Sequence, residues 1–190
     1  IEATIFQDNE YKVRGKIQGE ITDTAAGSLV FTKSAYDGNI FNVFNNNTVN
    51  GYDKQGLRGM WDVDVTDSTT MLFIFESMES DDDCCADIEG RPSGRNPASE
   101  AAPNGDFDLG QRLIDHDFES RTMDEQTSFS VQLDTEFENF TLTSITAYRT
   151  WDNTELREGD FTSIAGDSTE PVFGVPFQLH DVGPQSWDQF

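Results

Sequence analysis

Tyr11-Lys12-Val13-Arg14-Gly15-Lys16-Ile17-Gln18-Gly19-Glu20-Ile21 alternates without a break. Tyr, Val, Gly, Ile, Gly and Ile hold the odd positions, and Lys, Arg, Lys, Gln and Glu the even ones. A period of two puts the first set on one face of a strand and the second on the other. The four residues that follow, Thr22-Asp23-Thr24-Ala25, suffice only for a tight turn. The pattern recurs in Leu57 to Val65 and in Phe129 to Phe137, which run into the turns Thr66-Asp67-Ser68-Thr69 and Glu138-Asn139. Ile1 to Gln7, Ala26 to Tyr36, Thr70 to Met78 and Phe140 to Trp151 read as further strands with looser alternation. The expected fold is therefore all-β, an antiparallel meander of about seven strands.

The connections take turns as well. Between the short ones lie long excursions rich in Gly, Asn and Asp: Asp37 to Asp53, Glu79 to Gln126, and Trp151 to the C-terminus. A meander with tight turns at one end and elaborated loops at the other has two chemically different ends, as when a membrane separates a periplasmic rim from an outer one. Alternation alone would also suit a soluble sandwich with apolar residues inward. The clean strands, however, have the roughly 9–11 residues that a tilted strand needs to cross a bilayer. Tyr11 and Tyr36 toward one rim, and Phe137 and Phe140 beside a short turn, suit interfacial aromatic girdles. The expectation is a transmembrane β-barrel segment, with Thr22 to Ala25, Asp67–Ser68 and Glu138–Asn139 on one rim and Asn45, Cys84 and Gly166 on the other.

Composition narrows the function. No apolar stretch approaches the ~20 residues of a membrane helix. No basic, apolar leader opens the sequence, so Ile1 reads as a mature terminus or as the cut end of something longer. Thirty-six acidic against twelve basic residues give a net charge of −24, which repels nucleic acid and anionic headgroups. The acidity concentrates between Glu79 and Glu125. Such a run is either a solvated loop or a set of hard oxygen ligands for calcium, with Asp81, Asp82 and Asp83 at its head. An enzyme finds little support: His116 and His180 are flanked by acids in expected loops, and no nucleophile elbow, His-Glu-x-x-His pair or phosphate-cradling loop appears. Asp115-His116-Asp117 has the acids to orient a metal-binding imidazole, although a solvated loop histidine is the simpler reading.

Several segments carry a resemblance in collinear order. Tyr11 to Gly15, Ile21 to Gly27 and Tyr36-Asp37-Gly38-Asn39-Ile40 resemble the first barrel hairpins of TonB-dependent outer-membrane receptors. Tyr52-Asp53-Lys54-Gln55-Gly56-Leu57-Arg58-Gly59 resembles the strand descending from that family's second outer loop, and Phe140 to Asp152 a strand that recurs in its barrels. The resemblance implies a bacterial outer-membrane barrel of ~22 strands filled by a plug. Residues 1–190 would be part of that barrel, running from the plug junction into the fourth outer loop. The partners implied are its own plug, the remaining strands, outer-membrane lipid and a TonB-type energy transducer. The function implied is active import of a scarce small-molecule ligand such as a ferric siderophore.

Within that reading, ligand contacts are expected from Phe41, Phe44, Asn45 and Tyr52 in the second outer loop and from Trp151, Phe161, Phe173, Phe177 and His180 in the fourth. Loop packing is their alternative role. Lys12, Arg14 and Lys16 form a basic stripe on a polar strand face, expected to meet the plug. Cys84 and Cys85 are neighbours, and an oxidising envelope favours a vicinal disulfide, although Cα atoms ~3.8 Å apart are closer than a disulfide usually spans. Pairing with cysteines outside the chain is the rival. The competing function is a secreted all-β calcium- or carbohydrate-binding module, with Trp61, Trp151 and Trp187 as stacking platforms.

Overall fold

The computed structural model describes residues 1–86, 111–159, 163 and 179–190, and among these there is no α-helix. Eight strands form one antiparallel sheet in the order β1 (Glu2–Ile5), β2 (Tyr11–Thr22), β3 (Ala25–Tyr36), β6 (Tyr52–Thr66), β7 (Thr69–Asp82), β9 (Arg121–Glu136), β10 (Thr141–Glu158) and β11 (His180–Gln189). The sheet is open, with β1 and β11 at its edges. A smaller sheet, β5 (Asn47–Val49), β4 (Ile40–Asn42) and β8 (Leu113–Ile114), is built from residues of two long excursions.

The short turns form as their residues dictate. Thr22 Oγ1 accepts from the Thr24 N–H and Thr66 Oγ1 from the Ser68 N–H, each at 3.3 Å. Each hydroxyl thereby fixes a turn, as Thr and Ser do when they bond the backbone two residues on. The third turn is closed by a Phe137 N–H to Phe140 O bond of 2.8 Å, beneath two rings stacked 4.6 Å apart. All three turns leave the same end of the meander. Asn45 and Cys84 lie at the other end, as expected, and Gly166 lies outside the described residues.

Cross-strand pairing shows which residues share a face. From the short turns outward, successive rows on one face are Ala25–Val63–Met71–Leu133, Gly27–Trp61–Phe73–Val131, Leu29–Gly59–Phe75–Phe129 and Phe31–Leu57–Ser77–Thr127. The next row, Lys33–Gln55–Glu79–Glu125, is polar. Rows on one face are ~7 Å apart along a strand, so the apolar belt is roughly 20 Å tall once strand tilt is allowed for. Within it Trp61 packs on Phe73 at 5.6 Å and Phe73 on Phe129 at 6.5 Å. The opposite face carries Lys12, Arg14, Lys16, Gln18 and Glu20 of β2, the Arg58–Glu76 ion pair at 2.9 Å, and the Lys54–Asp82 pair at 2.9 Å.

The meander of about seven strands forms as expected, and the C-terminal excursion adds one more: the chain returns after β10 and pairs as β11 from Glu158↔His180 to Arg149↔Gln189. His180 and Trp187 are thus strand residues rather than loop residues. The strands are also longer than the alternation suggested: β6 begins at Tyr52, and β7 runs on to Asp82.

Burial is inverted relative to a soluble domain. The buried hydrophobic residues among those described are Ile40, Val49 and Ile114, all in the smaller sheet, while Trp61, Phe75 and Phe129 on the large sheet are 50, 41 and 47% exposed.

Candidate functional site

The smaller sheet caps the end of the meander opposite the short turns. Asn42 on β4, 1% exposed, organises it. Its Nδ2 donates to the His116 carbonyl at 2.9 Å, and its Oδ1 accepts from the backbone N–H groups of His116 and Phe44, both at 3.2 Å. One amide side chain thus serves three backbone groups from two loops, continuing the parallel β4–β8 pairing where the backbone stops. His116 is accordingly 5% exposed, which corrects its expected place as a solvated loop residue. The cap is tied to the wall through Glu158, 6% exposed, whose Oε2 accepts from the Phe118 N–H at 3.1 Å.

Phe41, Phe44 and Asn45 come together on this cap, in and beyond β4, with Phe41 37% and Phe44 53% exposed. Tyr52 lies below, at the top of the polar face, donating its hydroxyl to Glu10 at 2.7 Å and packing against Tyr36 at 5.9 Å. Glu10 also pairs with Lys12 at 2.8 Å, and that ammonium holds the Glu10 carboxyl below its ordinary range. Arg14 and Lys16 stand exposed on the same face. His180 stacks on Phe118 at 4.5 Å. Phe161, Phe173 and Phe177 lie outside the described residues. Tyr52 on β6 and Trp151 on β10 are three strands apart, roughly 14 Å, so the expected ligand residues do not all converge.

Asp81, Asp82 and Asp83 do not converge either. Strand alternation sends Asp81 to one face, where it pairs with Arg121, and Asp82 to the other, where it pairs with Lys54. Asp83 turns back to accept the Gly51 N–H, and burial pushes its carboxyl above the usual range. Among the described residues no group of three or more His, Cys, Asp or Glu side chains is placed to hold a metal ion. Each of these three carboxylates is engaged in a different direction.

Cys84 and Cys85 follow β7 at the mouth of the polar face, unbonded, with Sγ atoms 2.6 Å apart. Burial pushes the Cys84 thiol up to about 12, so it stays neutral at ordinary pH. Protein isolated without reductant is expected to be about 2 Da lighter than the dithiol form if oxidation joins the pair. After reduction, alkylation at pH 8 should be slow at Cys84; rapid labelling there would show that burial does not hold the thiol protonated.

One further group spans β9, β10 and β11. Trp151 on β10 packs against Trp187 on β11 at 6.0 Å with a 37° tilt. Asp124 on β9 accepts from Trp151 Nε1 at 3.1 Å and from Asn153 Nδ2 at 2.8 Å, both at Oδ1. All four side chains lie on the polar face, opposite Trp61. The three tryptophans therefore do not form one platform.

The fold has a counterpart among solved structures. The crystal structure of the siderophore receptor PirA from Acinetobacter baumannii matches 96% of this chain with a TM-score of 0.59 at 16% identity. The chain spans 24% of that receptor. The likeness is one of fold: the open antiparallel meander matches part of that structure. No family model matches the chain, and no curated protein does.

Proposed function

We propose that this chain is one sector of the wall of an outer-membrane import receptor, working as a transporter and not as an enzyme. The observation that carries the reading is the inversion of burial: the large sheet presents a single-layer apolar belt on one face and ion pairs on the other. Lipid covers the belt, and the polar face looks into the barrel lumen. The likeness to a siderophore receptor supports the same assignment, with import of a scarce ligand such as a ferric siderophore as the activity. The whole receptor would comprise residues 1–190, further strands that close the sheet edges, a plug, and a segment that engages a TonB-type transducer.

The lumen face also suits a plug. Beside the basic stripe of Lys12, Arg14 and Lys16 lies a cleft of about 480 Å3 lined in part by Met60 and Leu72, so the face offers both charge and half-buried apolar surface to a packed partner. A secreted module is disfavoured by the scarcity of buried apolar side chains in the large sheet.

Topology tests the reading. In a background with Cys84 and Cys85 replaced by Ser, a membrane-impermeant thiol reagent on intact cells should label Asn45→Cys at the outer cap and spare Asp67→Cys at the short-turn rim. Equal labelling of both, or a receptor that stays monodisperse and folded without detergent, would refute it.

A further inference from the structure

The polar wall carries two indoles where the lumen should be wet. Trp151 and Trp187 occupy one register row with Gln126, and the next row toward the loops holds Asp124, Asn153 and Gln185. This part of the sheet lies beyond the apolar belt, so lipid does not explain the rings. Nor does a core explain them: Trp187 remains 41% exposed. Asp124 instead fixes the pair from the side. Its Oδ1 takes the hydrogen bonds from Trp151 Nε1 and Asn153 Nδ2, which orients one indole and one amide and leaves Oδ2 outside both bonds.

We propose that Trp151, Trp187, Asp124 and Asn153 form a saccharide-binding platform on the lumen wall. Indole faces stack against the C–H faces of a pyranose ring, while a carboxylate and an amide at the rim exchange hydrogen bonds with its hydroxyls. The 37° tilt spreads the two indoles into a shallow platform suited to consecutive or flat rings. A cation cage would instead set aromatic faces steeply around its guest. The carboxylate also selects against an anionic chelate at this spot, whereas a neutral sugar meets no like charge. The ligand class is thus a neutral glycan or a glycosylated compound. This assignment rests on the receptor reading, since it is the lumen that gives a sugar access to these rings.

The test uses the complete receptor, purified in detergent, titrated calorimetrically with neutral oligosaccharides built on glucose, xylose, galactose and N-acetylglucosamine. Binding of one of them is expected, weakened roughly tenfold or more by Trp187→Ala and largely retained in Trp187→Phe. Asn153→Ala should weaken it as well, which guards against misfolding of the tryptophan variant. Trp61→Phe, on the opposite face, should leave affinity unchanged. If the receptor inserts and imports a sugar-free ferric chelate yet binds none of the oligosaccharides, the platform is overturned and the receptor reading stands. Binding that ignores both Trp187→Ala and Asn153→Ala overturns the platform too. A protein that folds as a soluble domain overturns the receptor reading itself.

Discussion

Arginine at Val131 is expected to keep the receptor from assembling, while arginine at Gln132, the next residue, is expected to be carried without loss. Val131 sits in the middle of the apolar belt, paired with Phe73 on one side and Thr146 on the other. Gln132 points to the opposite face, where it bonds Asp134 at 2.7 Å. A guanidinium near the bilayer midplane on a barrel's lipid face costs roughly 2–4 kcal/mol, whereas lumen substitutions are far cheaper. Val63 and Asp62 on β6 form a second pair one row nearer the short turns, with Val63 facing Met71 and Asp62 facing Leu72; an arginine at Val63 costs less because it lies closer to the belt's edge. The readout is the amount of heat-modifiable, folded receptor in outer-membrane fractions. Loss for Val131→Arg and Val63→Arg with wild-type levels for Gln132→Arg and Asp62→Arg is the expected result. Equal behaviour within either pair would mean that the faces are assigned wrongly.

Removing the Asn42 side chain is expected to dissolve the outer cap and leave the wall intact. Asn42→Ala strands three backbone groups in a buried setting, the His116 carbonyl and the N–H groups of His116 and Phe44. Each buried polar group left without a partner costs about 1–3 kcal/mol. Among the described residues the cap's buried apolar side chains are Ile40, Val49 and Ile114, with Ala86 packed against them, so these contribute little against that loss. Hydrogen exchange should quicken over residues 40–49 and 113–118 while β6, β7 and β9 keep their protection. Asn42→Asp retains the acceptor and loses the donor, so it should fall between. If the wall strands lose protection together with the cap, the two are a single cooperative unit and this account fails.

The meander was legible because a sheet with one apolar and one polar face imposes alternation, as in β2 and in Leu57 to Val65. Where both faces of a strand meet water the constraint lapses. That explains why Glu79 to Asp82 and Arg121 to Gln126 read as loop although they are strand. It also explains β11, whose sequence holds Gly183 and Pro184 and shows no apolar period. The cap was illegible for another reason: its strands are two or three residues long and exist only through partners in another loop. Isolated apolar residues in polar surroundings, Ile40, Val49 and Leu113–Ile114, were its signal. The site residues divided in the same way. Phe41, Phe44 and Asn45 share a hairpin, so their proximity follows from the chain itself, whereas the Trp151–Trp187 pair depends on a strand that the pattern did not reveal.

The bond between Asn42 and His116 joins residues 74 positions apart. The wall strands β6, β7, β9 and β10 keep their sequence order in the sheet, with β8 alone set aside in the cap, so each can be laid beside its predecessor in the wall once it is made. The β4–β5 hairpin is local, but the cap cannot be completed until all of β7 and the stretch up to residue 116 are in place, because closing such a long loop must precede any gain from the contacts inside it. The wall is thus expected to zip first and the cap to set afterwards. During that interval a protease would meet an assembled sheet whose cap segments are still open to cleavage.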